Sequence, residues 1–142
     1  MAREIIRGRR ALKRRMEGLY GSDMERTVGR ALFAAGEAVQ VEAQISITTG
    51  AVSGKFHTPS APGDPPNADT HFLANNIETH QVEPLVVRVE SNAPYSEALE
   101  YGSSKMAARP FLGPAQDAVK ADNIRLIAEA VESVKRRAWS RR

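Results

Sequence analysis

The chain contains no cysteine, so neither disulfides nor thiolate zinc sites hold its fold, and no cysteine nucleophile is available. It has no apolar run approaching the roughly 18 residues that span a bilayer, and its first residues lack the apolar core of a signal peptide. A chain made and kept in the cytoplasm, with no membrane contact, is the expectation. Neither a Gly-rich phosphate loop nor a Gly-x-Ser-x-Gly elbow occurs. The only imidazoles, His57, His71 and His80, lie far apart without metal-ligand spacing, and read as surface or turn residues. Asp64 and Asp69 sit in a proline-rich loop, where Asp commonly makes turn hydrogen bonds rather than catalytic pairs. The expectation is a protein that is not an enzyme and needs no cofactor or metal.

What is present is the composition of an ordinary globular protein: 142 residues, 42% hydrophobic and 26% charged, one domain's length spanning 1–142. The net charge of +3 hides an asymmetry. Residues 1–15 hold seven Lys or Arg against one Glu, for +6, and residues 135–142 hold five, for +5. The body between them has eight bases against sixteen acids, or −8. An acidic body with two basic ends suits self-association through complementary charge, or contact with nucleic acid at the ends.

Helical spacing of Leu12, Met16, Leu19 and Tyr20 predicts a helix over 3–20 that Gly21 can end. Ser22 with Glu25 reads as a capping box, starting a second helix near Asp23 that runs to about Ile45; one long bent helix is the alternative. Ala31, Ala34, Ala35 and Ala38 give it a small-residue face for close packing. Over 47–73 the chain becomes irregular, and Pro59, Pro62, Pro65 and Pro66 exclude helix and central strand. Alternation predicts strands over 76–82 and 85–90, joined by a loose Glu83-Pro84 turn, with a third over 104–108. Between them Asn92 reads as an N-cap, with Pro94 in the first turn of a short helix that Gly102 stops. A last helix is expected over 114–138, its negative end matched by Lys135, Arg136 and Arg137. The fold class expected is α+β: a long N-terminal helix or helix pair, a small antiparallel sheet, a short helix and a long C-terminal helix.

Two stretches carry a resemblance. Tyr95, Glu100, Tyr101, Gly102, Ser103, Lys105, Met106, Arg109, Pro110, Phe111, Pro114 and Ala115 follow one pattern, and His57, Pro59, Ser60, Pro62, Gly63, Pro65, Pro66, Asn67, Asp69, Thr70 and Leu73 another, in the order found in a known family. The chain resembles the tail-completion, or head–tail joining, proteins of long-tailed bacteriophages. His71 stands where that family usually has glycine, which predicts a relaxed turn there.

The resemblance implies a virion structural protein of the neck, made in the host cytoplasm and assembled as a sixfold ring through which DNA passes without sequence-specific binding. Its implied partners are further copies of itself, head-completion or connector proteins, and tail-tube or tail-terminator proteins. The loops 47–73 and 102–113 are the expected contact segments, through Pro59, Pro62, Pro65, Pro66, Lys105, Met106, Arg109 and Phe111. Phe111 reads equally as a core plug or an anchor in a neighbouring subunit. Trp139 reads as an interface residue or as a base-stacking one. Arg9, Arg10, Lys13, Arg14, Arg136 and Arg137 are candidates for contact with DNA or an acidic partner, against the plainer reading of solvated helix faces. A small DNA-binding protein with basic arms is the rival function.

Overall fold

The computed structural model describes residues 2–49 and 54–140, and the side chains of 8–49 and 54–140. The side chains of Arg3 and Arg7 of the first basic end, residues Arg141 and Arg142 of the second, and loop positions 50–53 lie outside those described. The architecture is α+β. Helices α1 (Ala2–Tyr20) and α2 (Ser22–Thr48) form a long N-terminal helix broken at Gly21. Gly21 is extended, at φ −95° and ψ −167°, and its carbonyl accepts from the N–H groups of Met24 and Glu25 at 3.0 and 3.3 Å. The expected capping box does not form. Gly21 is the N-cap, Ser22 already lies inside the helix, and no side chain caps α2. The helix also continues past Ile45 to Thr48, whose hydroxyl donates to the Gln44 carbonyl at 2.8 Å.

A 3-10 turn (Gly54–Phe56) and the single-turn helix α3 (Phe72–Asn75) flank the proline loop. Strands β1 (Ile77–Glu83) and β2 (Val86–Ser91) pair antiparallel, with Thr79 opposite Val89 and Gln81 opposite Val87. Their inner face lies on α2 because Gly36 leaves room for it. A Cβ at Gly36 would lie 2.8 Å from both Thr79 Cγ2 and Val87 Cγ1, closer than real contacts allow. The Thr79 hydroxyl donates to Gln40 of α2 at 2.7 Å. The outer face is polar, with His80 3.2 Å from Glu78 and 3.5 Å from Glu90. The third strand expected over 104–108 is replaced by a tight turn, closed by a single bridge between Ser103 and Met106.

Helix α4 (Ser96–Tyr101) begins later than Asn92 and Pro94 imply. Asn92 extends the sheet instead: its N–H donates to the Asn76 carbonyl at 2.9 Å and its side chain to Glu78 at 3.1 Å. Pro94 lies in the turn ahead of the helix. Gly102 ends α4 as expected, at φ 78°. Helix α5 (Leu112–Ser140) then runs antiparallel along α2, with Asn123 donating to the Ala35 carbonyl and Arg137 meeting Asp23.

The main core gathers Ile47, Leu73, Ile77 and Phe111 with Ala43, Ala68, Ala74, Ala93 and Ala115. It is thin: of the 14 buried apolar residues among those described, eight are alanine. Removing one of its few large side chains therefore costs about 2–5 kcal/mol.

Candidate interaction surface

The segment from Glu100 to Pro114 is built on one carboxylate. Glu100 Oε2 accepts from the N–H groups of Phe111 and Leu112 at 2.8 and 3.0 Å, and Oε1 from Gly113 at 2.8 Å. Position 114 is proline and has no N–H. All four donors that a helix N-terminus leaves free are thereby accounted for, and the negative charge sits at the positive end of α5. The helix consequently starts at Leu112, ahead of Pro114. Phe111 is fully buried, so it plugs the core and is not presented to a neighbour. Gly102 closes the loop: a Cβ there would lie 3.0 Å from the Ala108 nitrogen. Four residues of the resemblance, Glu100, Gly102, Phe111 and Pro114, thus have structural employment inside the subunit. Tyr101 and Lys105 remain exposed, and Met106 and Arg109 half-buried.

The two loops that carry the resemblance meet. The Gly63 N–H donates to the Ala108 carbonyl at 2.9 Å, and a cavity of about 220 Å³ between them is lined by His57, Ser60, Pro66 and His71 from one side and Leu99 and Arg109 from the other. The proline loop is tied down, with Asp69 accepting the Gly54 N–H at 2.7 Å, Asn67 donating to the Thr58 carbonyl at 2.8 Å, and Ala68 to Ile47 at 3.0 Å. Of the expected contact prolines, Pro59 and Pro62 are exposed, Pro65 is half-buried and Pro66 is buried, so Pro66 belongs to the loop's interior. His71 does not relax the turn. It takes the left-handed conformation itself, at φ 60° and ψ 6°, where a side chain is strained. Among the described residues no group of three or more His, Asp or Glu is placed to hold a metal ion.

The basic ends come together as well. Helix α1 packs on α5, and the Arg15 guanidinium lies 5.3 Å from the Trp139 ring centre, a cation–π contact. Arg9, Arg10 and Arg14 of α1 and Arg136 of α5 make no ion pair among the described residues, whereas Lys13 reaches Glu17 at 3.8 Å and Lys135 reaches Glu132 at 2.7 Å. Arg137 is engaged within the subunit, with its side chain 46% exposed. It donates to both carboxylate oxygens of Asp23, at 2.9 and 3.1 Å, and to Thr27 at 2.9 Å. These bonds from Arg137 hold the Asp23 carboxyl below its ordinary value, against a contrary effect of burial. The same bonds raise the Arg137 guanidinium.

Known protein families, curated proteins and solved structures show no match to the chain. Its surface is therefore the guide. Six of its eight aromatic residues, Tyr20, Phe56, Phe72, Tyr95, Tyr101 and Trp139, are exposed, and Phe72 and Tyr95 lie ring to ring at 6.3 Å. A compact monomer of this mass exposes about 7,200 Å²; this chain exposes 9861 Å². The surface of the chain thus exceeds that of a compact monomer and is rich in aromatic side chains. No helix among the described residues is long and apolar enough to cross a membrane. Sequence reasoning missed the Glu100 cap, because eleven residues separate the carboxylate from the first N–H it accepts.

Proposed function

We propose that the chain is a bacteriophage virion structural protein that joins or completes the tail at the head–tail interface, as one subunit of a ring around the DNA channel. The observation that carries this reading is the meeting of the two resembling loops at one place, through Gly63 and Ala108, on a subunit whose aromatic surface is largely uncovered. Two standard interfaces per ring subunit hide about 800 Å² each, which is of the order of the excess area. Deleting the coding sequence from the genome that carries it is expected to leave heads and tails that fail to join, seen by electron microscopy. Normal infectious particles contradict the reading.

A second reading, a small DNA-binding protein, is favoured by the convergence of the basic ends at α1 and the C-terminal part of α5. Mobility of duplex DNA across a salt series separates the two. Tight binding that weakens steeply with salt supports DNA binding; weak binding at physiological salt supports the joint.

A further inference from the structure

Helix α1 carries positive charge that the rest of the subunit leaves unanswered. Its described side chains, residues 8–20, include five Lys or Arg against Glu17 alone. Among the described residues Arg9, Arg10 and Arg14 make no ion pair, and Lys13 reaches Glu17 only at 3.8 Å, with both side chains more than three-fifths exposed. The end of α5 that packs on α1 adds to the excess. There Lys135 is held by Glu132 and Arg137 by Asp23, which leaves Arg136 unpaired. Beside these cations lies an apolar stripe. Ala11, Arg15, Gly18 and Leu19 turn inward to varying degrees, while Leu12, Met16 and Tyr20 are 55%, 43% and 77% exposed. The exposed three fall at i, i+4 and i+8, so the stripe is about 12 Å long. At about 100° per residue, Arg9 and Lys13 stand within about 60° of Met16, whereas Arg10 and Arg14 lie about 120–160° round the helix from it. Trp139 continues the apolar surface onto α5. It is the only tryptophan of the chain, is 58% exposed, and lies under the guanidinium of Arg15, the i+3 neighbour of Leu12.

We infer that α1 and Trp139 form a docking surface for an anionic lipid bilayer, with α1 lying along it. Unpaired positive charge and exposed apolar side chains on one face select this occupant together. Negatively charged headgroups attract Arg9 and Lys13 directly. Arg10, Arg14 and Arg136 act through the surface potential, which reaches about 8–10 Å from the headgroups at physiological salt. Leu12 and Met16 enter the boundary of the acyl chains, and Tyr20 and Trp139 place amphipathic rings at headgroup level. Duplex DNA answers the cations alone, because a phosphate backbone offers the exposed apolar side chains no apolar partner. No described helix is long and apolar enough to cross a membrane, and this surface crosses none: a basic flank beside an apolar stripe on one short helix lies in the interface. The expectation of no membrane contact followed from the missing spanning segment, and a peripheral helix needs none. The inference goes beyond the head–tail reading and does not rest on it.

The test uses the full chain and vesicles of phosphatidylcholine and phosphatidylserine at about 3:1. Co-sedimentation is expected to be at least about tenfold stronger than with phosphatidylcholine alone, and to weaken as salt is added. The emission of Trp139 is expected to shift to the blue and to be quenched by brominated acyl chains, as the indole leaves water. Arg9→Gln with Lys13→Gln is expected to lower binding at least about tenfold. Leu12→Gln with Met16→Gln, which leaves the charge unchanged, is expected to lower it by at least about as much. Tyr20→Ser, at the most exposed of the three stripe positions, repeats the loss where no packing is at stake, and far-ultraviolet circular dichroism checks that each variant keeps its helices. Equal binding to both kinds of vesicle, binding with the Trp139 emission unshifted, or full binding by the Leu12 and Met16 variant overturns the inference. A chain that ignores vesicles overturns it too. The occupant is then duplex DNA if DNA binding falls with the cations but not with the stripe, or a second copy if the stripe variants abolish self-association. Heads and tails that join normally without the chain leave the vesicle result untouched, and unbound vesicles leave the head–tail reading untouched.

Discussion

His71 is the one described non-glycine residue with positive φ, at a place where the resembling family uses glycine. A left-handed residue with a side chain costs about 1–2 kcal/mol, and the chain entropy glycine brings to the unfolded state takes back about 0.5–1 kcal/mol. His71→Gly is therefore expected to stabilise by about 0.5–1 kcal/mol, read as a rise in urea midpoint without a change in slope. An unchanged or lower midpoint contradicts this account of the turn. Asp23 gives a second residue-scale prediction. Its carboxyl is held below the ordinary 3.8 by the bond from Arg137, so its contribution to stability is present above pH 3.8 and lost as pH falls through its folded value. Asp23→Asn is expected to flatten that acid decline below about pH 4 while leaving the rest of the pH profile in shape. An identical decline in both proteins contradicts the assignment.

Among the elements, the start of α5 depends most on one side chain. Glu100→Ala leaves the N–H groups of Phe111, Leu112 and Gly113 without their acceptor, next to the buried Phe111 ring, and is expected to cost about 1–3 kcal/mol. Glu100→Gln keeps one acceptor oxygen but loses the charge at the helix terminus, and is expected to fall between the two. Equal thermal midpoints for all three proteins contradict the cap. Helices and strands were largely legible in the sequence, because the spacing of Val28, Ala31 and Ala35, and of Val87 and Val89, records a buried face directly. Boundaries were not. The capping box at Ser22 and Glu25 fits the pattern, but the extended conformation of Gly21 claims the cap one residue earlier. The third strand fails because the pairing it needs is absent: the backbones of Ser103 and Met106 bridge to each other and not to β1 or β2. Glu100 was legible only as a residue of the resemblance, since its role is a contact across a loop.

At the scale of the whole molecule, the sequence shows two basic ends but not that α1 and α5 bring them together. It does not show that Arg137 pairs with Asp23 across the two helices. Nor does it show that Phe111 is core while Tyr101, just over half a turn past Leu99 on α4, is 79% exposed. The core is thin and alanine-rich, and six of the eight aromatic side chains stay exposed. The most direct measurement is cryo-electron microscopy of the neck of particles made by the genome that encodes the chain. The account predicts a closed ring of this chain at the head–tail junction. Joined particles whose neck contains no copy of this chain contradict it.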